Sequence, residues 1–98
     1  LSQLYVFEVL GRPVGQFRID KIGNDWIIDY SVDNSFRRLG VGKEMINHFI
    51  MSESYNSLDG HLKAAVKLSN IASQRVFEQI GFIKKEEANE IITYQCQI

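Results

Sequence analysis

A single α/β domain, with a mixed, mostly antiparallel sheet that contains one parallel pair and carries packed helices, is the fold class this sequence predicts. Three observations carry it. β-forming runs joined by short polar or Gly-containing turns open and close the chain. Two stretches with apolar residues three and four apart fall between strands. One strand–helix–strand passage is long enough to set its two strands parallel. The 98 residues suffice for one domain, 1–98, and the 45% apolar fraction is that of a globular chain.

The first strand is expected over Tyr5–Leu10, where β-formers dominate, and Gly11-Arg12-Pro13 breaks it. Val14–Asp20 is the second strand, in which Gly15, Phe17 and Ile19 form one face and Val14, Gln16, Arg18 and Asp20 the other. Lys21–Asp25 reads as a turn, and Trp26–Val32, long and largely apolar, as a central third strand. From Val41 the period changes: Val41, Met45, Ile46, Phe49 and Ile50 share one face of a helix. The polar segment Ser52–Asp59 predicts the end of that helix and a loop, and Gly60–Lys67 a fourth strand. A second helix is expected over Asn70–Ile80, with Ile71, Val76, Phe77 and Ile80 as its apolar stripe and Gly81 as its stop. Two more strands, Phe82–Glu87 and Ile91–Ile98, flank a turn at Ala88-Asn89-Glu90.

Composition narrows the function. Eleven basic and twelve acidic residues leave a formal charge of −1, which gives no long-range attraction for nucleic acid. Cys96 is the only cysteine, His48 and His61 stand apart, and no metal-ligand spacing occurs, so no metal site and no internal disulfide are expected. That cysteine usage points to a reducing, cytoplasmic setting. No apolar run approaches the roughly 20 residues needed to span a bilayer, so no membrane partner is expected.

Two stretches can carry chemistry. Arg37-Arg38-Leu39-Gly40-Val41-Gly42-Lys43 lies between a strand and an amphipathic helix. Glycines at a helix start let a ligand approach the backbone, and the first N–H groups together with the helix dipole suit a phosphate. An ordinary helix start with solvated basic residues remains the other reading. The third glycine of a dinucleotide fingerprint and the Gly-Lys-Ser/Thr ending of a P-loop are both absent. The second stretch runs from Val66 to Phe82. In it Asn70 either caps the helix or, if Ser69 caps instead, offers its amide to a ligand.

Taken together, these stretches resemble the GNAT N-acetyltransferase superfamily. Its R/Q-x-x-G-x-G/A signature matches Arg37 to Gly42, and its N-x-x-A/S-x-x-x-Y/F-x-x-x-G-F signature matches Asn70, Ser73, Phe77, Gly81 and Phe82. The resemblance covers nearly all the chain from Tyr5 onward. It implies an acyl-CoA N-acyltransferase fold whose third and fourth strands splay apart, with acetyl-CoA lying in the gap. It places the pantetheine arm along the backbone near Tyr30 and Val32, and the diphosphate on the backbone from Arg38 to Lys43. Asn70, Ser73 and Phe77 fall on the other wall. The context Ile28–Val32 together with the helix opening at Asn70 is most similar to members that acetylate nucleotide-linked amino sugars or protein α-amines.

The resemblance also marks two departures. Phe77 stands where many members have a tyrosine that protonates the leaving thiolate, which leaves Tyr94 and Tyr55 as substitutes. Members usually begin with a further strand and one or two helices that build much of the acceptor pocket, so an N-terminally truncated form is expected, with an uncovered apolar sheet face and self-association, such as a homodimer, as its consequence. The expected reaction is direct attack of a primary amine of a small molecule or peptide on the thioester. No Cys/His or Ser/His/Asp pairing is evident for covalent catalysis. Asp29 is the candidate base, with a solvent-facing strand carboxylate as its plain alternative, and the Tyr30 backbone N–H is the candidate donor to the thioester carbonyl. The rival expectation is a non-catalytic acyl-CoA-binding module that works with a partner chain.

Overall fold

Six strands form one sheet, β1 (Ser2–Val9), β2 (Arg12–Ile22), β3 (Asp25–Val32), β4 (His61–Lys67), β5 (Ile83–Ala88) and β6 (Ile91–Gln95), in the spatial order β1-β2-β3-β4-β6-β5. These assignments come from a computed structural model that describes residues 1–97. Three helices accompany the sheet: α1 (Val41–Ile50), the short α2 (Glu53–Asn56) and α3 (Ile71–Ile80). β3 and β4 are parallel and every other neighbouring pair is antiparallel, as the crossover through α1 requires. The final strand ends at Gln95 rather than Ile98, and Ile98 lies outside the described residues.

All helices lie on one face. Phe17 and Ile19 of β2, Trp26 and Ile28 of β3, Leu62, Ala64 and Val66 of β4, and Ile92 and Tyr94 of β6 point into a common core. Met45, Ile46, Phe49 and Ile50 of α1 close that core as their spacing predicted. Phe49 meets the stacked pair Tyr5–Phe17, with ring centroids 5.2 and 4.9 Å away. The stripe of α3 is narrower than expected. Phe77 is its one buried residue, Val76 and Ile80 are half-buried, and Ile71, in the first turn, is exposed.

Along the opposite face, no helix covers the sheet among the described residues. Exposed apolar side chains on that face include Leu4 and Val6 near the β1 edge, Ile22 at the end of β2 and Ile83 on β5, and Gln16, Arg18, Asp29 and Ser31 make the surface between them polar. No helix of the described residues is long and apolar enough to cross a membrane.

Two local features depart from the sequence reading, and the last turn, which falls where it was expected, shares the geometry of the first. The first hairpin turns on Leu10–Gly11, both at positive φ (52° and 78°), and β2 already begins at Arg12. The last hairpin turns on Asn89–Glu90 in the same way (53° and 65°). Two central residues at positive φ are the geometry whose twist suits a two-residue hairpin, and it overrides the preference of Leu and Glu against that region. The segment read as a loop after α1 contains α2, capped by Ser52, whose hydroxyl oxygen accepts from the Tyr55 N–H.

Gly60 links α2 to β4 at φ +116°, and a side chain there would overlap the Asn24 carbonyl oxygen. Gly60→Ala is therefore expected to cost on the order of 3 kcal/mol. Thermal unfolding followed by circular dichroism would register this as a fall of roughly 10–20 °C.

Candidate functional site

The parallel ladder between β3 and β4 is short. Asp25 pairs with His61, Trp26 with Leu62 and Ile27 with Lys63, and the two strands then diverge. An ion pair at this closed end, Lys63 Nζ to Asp25 Oδ2 at 3.0 Å, holds the strands together where they still pair. Each strand stays bonded on its outer side, β3 to β2 as far as Val32–Gly15 and β4 to β6 as far as Lys67–Ile91. The result is a cleft of about 290 Å³ lined by Ile28, Asp29, Tyr30, Ala65, Val66, Lys67, Asn70, Ser73 and Phe77.

Backbone alternation decides what the cleft offers. The Asp33 N–H donates to the Val14 carbonyl at 2.9 Å, so odd-numbered residues of this strand turn their backbone groups to β2. Those of Ile28, Tyr30 and Val32 face the gap, where no neighbouring strand satisfies them. The Val32 carbonyl departs from the expected free state, since it accepts from Arg37 Nε at 3.4 Å.

Helix α1 begins beyond the open end of β3. Gly40, its N-cap, sits at φ 77° and has no side chain to cap the helix. The first helical bond runs from Glu44 N–H to the Gly40 carbonyl at 3.0 Å, so the N–H groups of Val41, Gly42 and Lys43 stand before it and are open to an anion. Arg37, Arg38, Leu39 and Lys43 are exposed around this end, and Arg38 holds a positive φ of 65°, rare for a residue with a side chain. Arg12 stacks 5.4 Å over the Phe36 ring and ties this loop to the β1–β2 turn.

The two glycines prove unlike. Nothing lies within 4 Å of a side chain built on Gly40, whose requirement is its positive φ. Gly42 is buried, and a Cβ there would stand 2.9 Å from Tyr30 Cε2. Its lack of a side chain makes room for Tyr30, which corrects the expectation that both glycines exist for ligand approach.

Tyr30 is the junction of the site. Its ring lies beneath Gly42 and meets Phe77 edge-on at 5.8 Å, and its hydroxyl shares a 2.9 Å hydrogen bond with Ser73 Oγ on α3. Burial raises the phenol above its ordinary pKa, against the smaller opposing effect of the Ser73 bond. Sequence reasoning placed only the backbone of Tyr30 here. The signal for its side chain, a tyrosine on the same strand face as Trp26 and Ile28, was also that of a core residue.

The other candidates separate. Asn70 caps α3, its Oδ1 accepting from the Ser73 N–H at 3.1 Å, so the alternative in which Ser69 frees it does not hold. Asn70 still lines the cleft, and its amide nitrogen is a donor beyond that cap. Ser73 lines the cleft while bonded to Tyr30, and Phe77 is both cleft wall and core, packed against Phe82 and Tyr94. Asp29 is exposed on the helix-free side, in register with Arg18, which pairs instead with Asp20 at 3.0 Å. Neither substitute tyrosine lines the cleft. Tyr94 donates to Glu78 Oε2 at 2.7 Å and Tyr55 donates to Cys96 Sγ at 3.2 Å, and Cys96, like both tyrosines, lies outside the cleft lining. Among the described residues no group of His, Cys, Asp and Glu could hold a metal ion.

Comparison with known proteins shows the family and the fold. The model of the acetyltransferase (GNAT) family matches residues 2–82, and the chain belongs to that family. Among solved structures it is similar to the N-acetyltransferase PseH of Campylobacter jejuni, determined in complex with acetyl coenzyme A (TM-score 0.83, 18% identity, 97% of this chain and 67% of that one). It is also similar to the GNAT domain of PAT from S. lividans (0.82, 16%, 97% and 60%). A mutant of spermidine N-acetyltransferase SpeG from Vibrio cholerae is a third (0.79, 16%, 96% and 64%). The chain thus spans 60–67% of the length of these structures. No curated protein matches it significantly.

Two outcomes test this description. Gly42→Ala forces the Tyr30 ring to move and is expected to lower stability by about 1–3 kcal/mol, with a changed near-ultraviolet circular dichroism spectrum. An unaltered melting point would show that the ring yields freely. The second concerns Tyr94, whose pKa is pushed up to about 12 by burial and by the Glu78 carboxylate. The unfolded phenol titrates near 10, so the unfolded state loses its proton first and folding stability falls as pH rises from about 10 to 12. Urea unfolding across that range is expected to show this decline in the wild type and a shallower one in Tyr94→Phe.

Proposed function

We propose that this protein transfers an acetyl group from acetyl-CoA to a primary amine by direct attack. The observation that carries the reading is the three-rung β3–β4 ladder, which opens into a cleft whose Tyr30 wall abuts the uncapped first turn of α1 at Gly42. The exposed backbone edge of Ile28, Tyr30 and Val32 suits the amides of an extended pantetheine arm, which would bind as a strand does. The N–H groups of Val41, Gly42 and Lys43, with Arg37, Arg38 and Lys43 around them, suit the diphosphate. Leu39 and Val41 belong to that helix entry, and Asn70 lines the cleft from the start of α3.

When bound, acetyl-CoA supplies the acetyl group as an activated thioester. The chain's own residues have three tasks. The Tyr30 backbone N–H, facing the gap, polarises the acyl carbonyl. Asp29 takes the proton of the incoming amine, directly or through water, from the helix-free side. The walls of Ile28, Val66 and Phe77 exclude water from the reacting centre. The residues lining the cleft include no thiol or imidazole, in keeping with transfer without an acyl-enzyme.

The acceptor is proposed to enter from the helix-free face. There a recess of about 100 Å³ lies beside Asp29, lined also by Leu4, Gln16, Arg18 and Ser31. An amino-sugar nucleotide or a protein α-amine is the acceptor class we favour from the motif context. The shallowness of that recess also favours a second reading, an acyl-CoA-binding module whose acceptor wall comes from a partner chain.

Calorimetry is expected to show CoA binding at least tenfold more tightly than pantetheine, an advantage that shrinks in Arg38→Ala and Lys43→Ala. Equal affinities for CoA and pantetheine would remove the anion site. Release of free thiol from acetyl-CoA in the presence of an amine, against none without it, separates the enzyme from the binding module.

A further inference from the structure

We infer that the Tyr30 hydroxyl is the proton donor to the departing sulfur and that Ser73 orients it. This rests on the acetyl-transfer reading of the cleft, and it begins with a chemical need. A thiol has a pKa of about 8.5, so a thiolate expelled into a walled cleft leaves more readily if a neighbouring group shares a proton with it.

The lining residues limit the choice. Ile28, Ala65, Val66 and Phe77 have no proton to give, Asp29 is assigned to the amine, and the Asn70 amide, whose oxygen caps α3, can share a hydrogen bond but does not give up a proton. Lys67 and Asp29 project on the helix-free side, as alternation with the buried Val66 and Ile28 requires. On the helix-covered side the hydroxyl groups are those of Tyr30 and Ser73, joined to each other at 2.9 Å.

Their geometry divides the roles. Gly42 and Phe77 fix the Tyr30 ring from two sides, so its hydroxyl can swing little. Ser73 is held by its helix, and its N–H is occupied by Asn70. Adjacent residues of β3 thereby place opposite chemistry on the two sides of one gap, a base at position 29 on the acceptor side and an acid at position 30 on the helix side. Burial keeps the phenol neutral at pH 7, the form that can donate.

The step balances without a further reactant. As the amine nitrogen bonds to the acyl carbon, the carbon–sulfur bond breaks and its electron pair stays on sulfur. Tyr30 Oη then gives its proton to sulfur, forming S–H. The phenolate recovers its proton from solvent at the open mouth of the cleft, relayed through the Ser73 hydroxyl, which takes up one proton as it passes on another, while the amine proton leaves through Asp29.

The test uses the CoA complex as well as turnover. The thiol of bound CoA is titrated by the ultraviolet absorbance of its thiolate, with the desulfo-CoA complex as blank, in the wild type, Tyr30→Phe and Ser73→Ala. A donor facing the sulfur stabilises the thiolate, so the bound thiol is expected to titrate about one pH unit lower in the wild type than in Tyr30→Phe, with Ser73→Ala between them. Tyr30→Phe keeps the ring against Gly42 and Phe77, so CoA affinity is expected to stay within about threefold, and kcat to fall by about 10²-fold or more. If Tyr30→Phe does not fold, a fluorinated tyrosine at position 30, a stronger donor, is expected to lower the bound thiol's pKa further. An identical thiol titration with and without the hydroxyl, or with the fluorinated one, overturns the inference and leaves the acetyl-transfer reading standing. Failure of the wild type to bind CoA overturns both.

Discussion

The early end of the β3–β4 ladder is the constraint on which the site depends. Two central strands of a sheet ordinarily satisfy each other's backbone groups along their length, because an unsatisfied buried amide costs about 1–3 kcal/mol. Here they pair for three residues and separate, each still anchored on its outer side. The separation persists because the space between the strands is bridged by side chains. Tyr30 leans from β3 under Gly42 of α1 and across to Ser73 and Phe77 of α3. One aromatic residue therefore touches both long helices and lines one wall of the gap.

Local conformation supports that wedge. Gly40 takes a left-handed turn that starts α1 at the mouth of the cleft, and the buried Gly42 lets the helix settle on the Tyr30 ring. The same two residues leave the first helical N–H groups uncapped and pointing outward. At the end of β4, Asn70 does the reverse and caps α3 with its own side chain, which fixes Ser73 where it can reach Tyr30. One helix start is thus left open to an anion, and the other is closed to hold a hydroxyl pair in place.

The gap also joins the two faces of the sheet. Side chains alternate along a strand, so Asp29 and Tyr30 line the same opening from opposite faces. An amine arriving over the polar, helix-free surface near Arg18 and Gln16 would meet a carboxylate, while the sulfur would leave toward the covered side and a phenol. A closed sheet could not offer this arrangement, since a paired backbone would separate the two groups.

How much of this was legible beforehand follows the range of the forces involved. The succession of strands and long helices, the parallel pair and the face of α1 were readable, because period-two and period-3.6 patterns express which side of an element meets the core, whereas the place of β6 between β4 and β5 was not. The two signature stretches were readable as well, since glycines and basic residues at a helix start act over one turn. Other features were decided by packing. Leu10 and Glu90 entered the left-handed region because the twist of their hairpins demanded it, against their own preference. Ile71 matched its helical stripe and still faced solvent in the first turn of α3. Gly42 looked like a ligand-facing glycine until the Tyr30 ring was found against it. The Tyr30–Ser73 bond joins residues 43 positions apart, a distance over which no local pattern reports. The sequence by itself determined the six strands and the two long helices and marked the helix start proposed here for an anion; only the tertiary structure decided which hydroxyl stands in the cleft, because that depends on the meeting of two helices and a strand far apart in the chain.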